Sequence, residues 1–82
     1  MKKSIGGLIF DTERAQVLAR SGDGDVLYLT QSGRYFRCSS NFFLPPDIII
    51  LSTDEAMHTY NRCVEKLVGY REAFKDVEFR EA

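Results

Sequence analysis

The sequence predicts a small α+β domain, in which an antiparallel sheet built around a central hairpin is covered by one short helix and one long C-terminal helix, in the order β-α-β-β-β-α. Three observations carry that expectation. Residues 25–40, DVLYLTQSGRYFRCSS, place two apolar and aromatic runs around a short polar turn containing glycine, the local signal for paired antiparallel strands. Residues 47–51, DIIIL, carry consecutive β-branched side chains that resist helix and suit a buried strand. From Ser52 onward, apolar residues recur at spacings of three and four, as on one face of a helix.

Composition bounds the rest. A chain of 82 residues makes one domain, spanning 1–82, with a modest core. The 44% hydrophobic content is ordinary for a globular chain, and no run is long or apolar enough to span a bilayer. Lys2-Lys3 is followed by a short apolar stretch and then by charge, so the apolar core of a secretory signal is missing and a cytoplasmic protein is expected. A net charge of −1 argues against generic nucleic-acid binding, which needs a basic surface to release counterions.

In chain order, Ser4 to Phe10 reads as a first strand, in which Gly6 or Gly7 marks a bulge or an edge position. Asp11-Thr12-Glu13-Arg14 has the chemistry of a helix start, with Asp11 or Thr12 as cap and Glu13 at the positive end of the dipole. A helix of two to three turns follows through Ala15, Val17 and Leu18, and Ser21-Gly22-Asp23-Gly24 ends it, with Gly22 suited to a left-handed C-cap. After the hairpin, Phe42-Phe43-Leu44-Pro45-Pro46 predicts an extended turn. Asp47–Leu51 is expected as a central or core-facing strand. Ser52 with Glu55 three residues on forms a capping box, and the long helix then presents Ala56, Met57, Tyr60, Cys63, Val64, Leu67, Val68, Tyr70 or the stem of Arg71, and Phe74 to the sheet. Asp54, Thr59, Arg62, Lys66, Glu72 and Lys75 face water, and Gly69 marks a close approach, a kink or the end of a first helical segment. Residues 76–82 alternate apolar and charged, as a strand or a fraying terminus does.

The hairpin register decides which side chains share a face. A two-residue loop at Ser32-Gly33 pairs Leu29 with Phe36 and Leu27 with Cys38 on a dry face, leaving Tyr28, Thr30, Tyr35 and Arg37 on an amphipathic one. A three-residue loop with Gly33 in a bulge shifts the pairing by one and mixes these sets.

Residues 7–15 (GLIFDTERA), 28–36 (YLTQSGRYF) and 50–56 (ILSTDEA) together resemble a family of small uncharacterised proteins of bacteriophages and other mobile elements. As a class, small acidic proteins of this kind are similar to anti-CRISPR proteins, compact domains that bind and block a defence nuclease. The resemblance implies a β-α-β-β-β-α domain and a protein partner such as a host nuclease complex. It transfers no catalytic motif and no residue-level site.

Little in the residues points to catalysis. His58, with Glu55 at i−3 and Arg62 at i+4, reads as a solvent-facing helical histidine in local ion pairs rather than as a general base. Asp23 and Asp25 around Gly24 resemble a fragment of a calcium loop without its remaining ligands. Cys38 and Cys63 read as buried free thiols, since the chain has one histidine and no four-ligand zinc set without carboxylates. No cofactor, metal or catalytic residue is expected, and the chain is read as a non-enzyme.

The expected site is therefore a surface. Tyr28, Tyr35 and Arg37, with Arg34 in the turn, are the candidate partner-binding residues, because Tyr and Arg are enriched at binding hot spots. A non-enzymatic protein-binding module is the leading expectation, with inhibition of a host nuclease as its special form. The alternatives are a nucleic-acid-binding module using Arg34, Tyr35 and Arg37 beside Lys2 and Lys3, or a self-associating structural subunit. The acidic groups at Asp23-Asp25, Asp54-Glu55 and residues 72–81 are a second candidate surface, as a mimic of nucleic-acid phosphates.

Overall fold

Strands, not helices, dominate the chain. The computed structural model describes residues 1–39 and 46–75; the 42–45 stretch and the alternating segment 76–82 lie outside the described residues. The elements are β1 (Lys2–Ile5), β2 (Leu8–Asp11), β3 (Gln16–Arg20), β4 (Val26–Leu29), β5 (Tyr35–Ser39), β6 (Asp47–Leu51), α1 (Thr53–Arg62), β7 (Glu65–Lys66) and α2 (Tyr70–Ala73). β1 and β2 form a two-stranded sheet, and a second sheet has the order β6-β5-β4-β3-β7, antiparallel throughout.

The expected fold class, with a short first helix and a long C-terminal one, is corrected at three places. First, Ser4–Phe10 is a hairpin and not one strand: Gly6 and Gly7 have φ of 58° and 78°, the pair of positive values that a tight two-residue turn requires. Second, residues 16–20 are strand β3. The capping chemistry before it is present, since Asp11 Oδ1 accepts the Glu13 N–H at 3.0 Å and the Asp11 carbonyl accepts from Arg14 and Ala15, but it closes a turn. Residues 21–25 then reverse the chain. The Ser21 N–H donates to the Asp25 carbonyl at 2.8 Å, and the Ser21 hydroxyl accepts from the N–H groups of Asp23 and Asp25. A bulge between Val17 and Ala19 lets both Leu18 and Ala19 be fully buried, which breaks the alternation a strand normally shows.

Third, the long helix stops at Arg62. Ser52 does cap it, and both hydrogen bonds of the capping box are present. The stripe Ala56, Tyr60 and Cys63 is buried as expected. Past Cys63 the outer edge of β3 supplies better partners than another helical turn: Val64 donates to the Arg20 carbonyl, and Leu67 and Val68 donate to that of Leu18. Val64 and Leu67, expected in the core, are 79% and 45% exposed. Thr59, expected to face water, is buried, with its hydroxyl on the Glu55 carbonyl at 2.8 Å.

α1 crosses one face of the five-stranded sheet, touching β3, β4, β5 and β6, and carries the chain from the β6 edge to the β7 edge. Beneath it lies the main core, with Leu18, Leu27, Leu29, Tyr35, Leu51, Tyr60, Cys63 and Phe74. The other face is covered by the β1–β2 hairpin through Phe10, Phe36 and Ile48, with Phe10 edge-on to Phe36 at 5.6 Å. Burying each of these rings contributes about 1.5–3 kcal/mol. The sheet is thus covered on both faces, and Phe36 belongs to the hairpin side. No helix of the described residues is long and apolar enough to cross a membrane.

Candidate protein-binding groove

The β4–β5 loop sets the placement of every candidate side chain. The Thr30 N–H donates to the Arg34 carbonyl at 2.8 Å and Gly33 has φ of 87°, so the loop is the three residues 31–33. The pairs are Leu29 with Tyr35, Tyr28 with Phe36, Leu27 with Arg37 and Val26 with Cys38. This shift by one residue corrects the dry face expected from Leu27, Leu29, Phe36 and Cys38.

The four expected site residues are consequently dispersed. Tyr35 is buried under the helical side, and its hydroxyl donates to the Ala73 carbonyl at 2.9 Å. Tyr28 lies on the opposite face, stacked on Phe36 at 4.9 Å; burial, helped by the nearby Cys38, raises its phenol above the ordinary range. Arg37 shares the helical face with Tyr35 and donates to Asp25 Oδ2 at 3.3 Å, while Ser39 donates to Asp25 Oδ1 at 2.8 Å. Arg34 is exposed in the loop. These residues form no common aromatic and basic platform of the kind that would stack bases. Lys3, expected beside such a platform, is paired with Asp47 at 2.8 Å, and Asp25 of the calcium-like fragment is engaged by Arg37 and Ser39. Cys63 is buried and Cys38 only partly so, both as free thiols. Among the described residues no group of three or more His, Cys, Asp or Glu side chains is gathered as a metal site requires.

The geometry points elsewhere on the helical face. A cavity of about 400 Å³ opens between the flank of α1 and strands β5 and β6, lined by Ile49 and Leu51 with Arg37, Asp54, Glu55, His58, Thr59 and Arg62. Of the four expected residues, Arg37 alone lines it. Asp54, His58 and Arg62 follow one another at helical i+4 spacing, and all three are exposed. Among the described residues, none of the three holds an ion pair or side-chain hydrogen bond, so the ion pairs expected of His58 are not formed. Glu55 is different: its carboxylate accepts the Ser52 N–H at 3.0 Å. That bond, the Ser52 hydroxyl and the Arg37 charge hold its pKa below the ordinary value.

The groove borders an open sheet edge. Because Thr30 and Arg34 form a hydrogen-bonded pair, strict alternation turns the backbone of Tyr35, Arg37 and Ser39 toward β6. Their partners there are Leu51, Ile49 and Asp47. The N–H and C=O groups of Ile48 and Ile50 therefore point outward, to the side on which no described strand pairs. The Ile48 N–H is taken by the Asp47 side chain at 2.9 Å, which leaves the Ile48 carbonyl and both groups of Ile50 on the edge. The Ile50 side chain, on the hairpin face, is 40% exposed. Sequence reasoning read the isoleucine strand as central or core-facing; it faces the core through Ile48 and Leu51, but it lies at the edge of the sheet, and the groove beside that edge was missed.

Scans of family models, of curated proteins and of solved structures return no match to this chain.

Proposed function

We propose that this chain is a non-enzymatic protein-binding module that docks a partner segment along the outer edge of β6 and into the adjoining α1 groove. The observation that carries the reading is the conjunction, among the described residues, of open backbone groups at Ile50 with an apolar floor and unengaged charges beside them. An extended segment added to such an edge gains main-chain hydrogen bonds from the strand and side-chain selectivity from the groove. The other edge is less suited, since β7 has two residues and short edge strands resist pairing. The compartment that goes with this reading is the cytoplasm. Blocking a host defence nuclease is the form of the role implied by the resemblance to small phage proteins.

Two changes test it. A photoreactive residue at position 58 should crosslink a partner from a host lysate, whereas one at position 64, on the far edge, should not. Ile50→Pro removes the outward N–H while sparing the pairing with β5, and should abolish the crosslink in a folded protein. Crosslinking from position 64 alone, or unchanged capture by the proline variant, refutes the reading.

A further inference from the structure

Resting on the edge-binding reading, a more specific inference concerns the chemistry of the segment that the groove accepts. Asp54 stands at one end of the groove and Arg62 at the other, with His58 between them and Ile49 and Leu51 on the floor. Eight helical residues separate Asp54 from Arg62, a rise of about 12 Å along α1; because α1 runs obliquely over β6 to β3, the two charges lie no more than that far apart along β6, within the about 13 Å that four residues of extended strand cover. In a strand laid on the edge of β6, residues i, i+2 and i+4 fall on the groove side. The charges at the two ends are of opposite sign and, among the described residues, unengaged, so they attract different side chains. The remaining charges at the basic end are already satisfied, Arg37 by Asp25 and Asp47 by Lys3.

We infer that the groove selects an extended segment of another protein bearing one basic and one acidic side chain four residues apart, with an apolar residue midway. The basic side chain meets Asp54, the acidic one meets Arg62, and the apolar one covers Ile49. A second copy of this chain does not fit the same requirement. Its β6 would bring Asp47, Ile49 and Leu51 to the groove side, with no cation for Asp54. Opposite charges at the rim of an interface act mainly on partner choice and weaken with salt.

The test uses three fluorescein-labelled heptapeptides and the full chain at low ionic strength, followed by anisotropy. The mixed peptide is Thr-Lys-Thr-Val-Thr-Glu-Thr; the controls carry Lys at both charged positions, or Glu at both. The mixed peptide is expected to bind about fivefold tighter than either control, with the advantage shrinking as salt rises. In the Asp54→Arg protein the preference should move to the Glu/Glu peptide. Equal affinities for all three peptides, together with loss of binding in Ile50→Pro, would overturn the charge rule and leave edge binding standing. Binding undiminished by Ile50→Pro, or no binding of any peptide, would overturn both. A doubled solution mass that the mixed peptide fails to reduce would place a second copy in the groove and overturn the selection of a foreign segment.

Discussion

The Tyr35 hydroxyl donates to the main-chain carbonyl of Ala73 across 2.9 Å, tying the middle of the sheet to the last helical turn of the described chain. The ring itself packs 5.1 Å from that of Phe74. Tyr35 is thus a structural residue, although its type and its place in an aromatic hairpin suggest an interface. Tyr35→Phe keeps the ring and leaves the Ala73 carbonyl without this donor, and should cost about 1–2 kcal/mol. Tyr35→Ala should cost about 3–5 kcal/mol, the range for truncating a buried ring. Urea denaturation of both variants checks the pair; a Tyr35→Ala protein as stable as the parent would place the residue on the surface.

Ser52 closes the N-terminus of α1 with both bonds of its box, Glu55 N–H to Ser52 Oγ at 3.2 Å and Ser52 N–H to Glu55 Oε1 at 3.0 Å. Ser52→Ala should cost about 1 kcal/mol. The carboxylate partner also fixes a pH dependence. Folding lowers the Glu55 pKa, so its contribution is fully present above the unfolded value of about 4.3 and is lost as pH falls through the lower folded value. Chemical denaturation at several pH values should show part of the parent's loss of stability below pH about 4.3 disappearing in Glu55→Gln, and an unchanged acid limb would remove the linkage.

The two thiols should react at different rates. Cys63 is 3% exposed, its Sγ lies 3.2 Å from the Thr59 carbonyl, and burial raises its pKa despite the opposing Lys66 and Arg62 charges. Cys38 is partly exposed, with Sγ 3.9 Å from Met1 Sδ. A thiol reagent at neutral pH should label Cys38 first and Cys63 only as the protein unfolds. Because folding raises the Cys63 pKa, its contribution to stability is fully present below the unfolded value of about 8.5 and fades as pH rises through the folded one. Fast labelling of Cys63 in the native protein would contradict its place under α1.

What the sequence made legible is what depends on near neighbours. The Ser52–Glu55 box spans four residues, and Ala56, Tyr60 and Cys63 fall on one side of α1 and its C-cap; both stand as read. The Tyr35 and Arg37 faces hung on whether the loop holds two residues or three, and one residue inverts every side chain. Residues 16–20 contain Ala, Leu and Arg, good helix formers, and nothing local reveals that Ser21–Asp25 closes a hairpin onto Val26. The bulge at Leu18 hides the alternation further. For the groove, the isoleucine strand and the water-facing Asp54 and Arg62 were readable, but its edge position follows from long-range strand order, which hydrophobicity alone does not encode.

The end of α1 is the sharpest point of difference between the two architectures. In a helix running on to Phe74, Val64 and Leu67 would continue the stripe of Tyr60 and Cys63 into the core, and lysine at either position would bury an unpaired charge. In the structure the chain turns at Cys63, whose φ and ψ are −71° and 139°, and β7 pairs Ala19 with Lys66 and Arg20 with Glu65. Val64→Lys should therefore change stability by no more than about 0.5 kcal/mol, the range for surface sites, and Leu67→Lys by little more. Val64→Pro should be costly, because its N–H donates to the Arg20 carbonyl at 3.1 Å and proline removes that donor. Thermal denaturation of the three variants decides the matter: a severe loss in both lysine variants with a mild one for proline would restore the continuous helix.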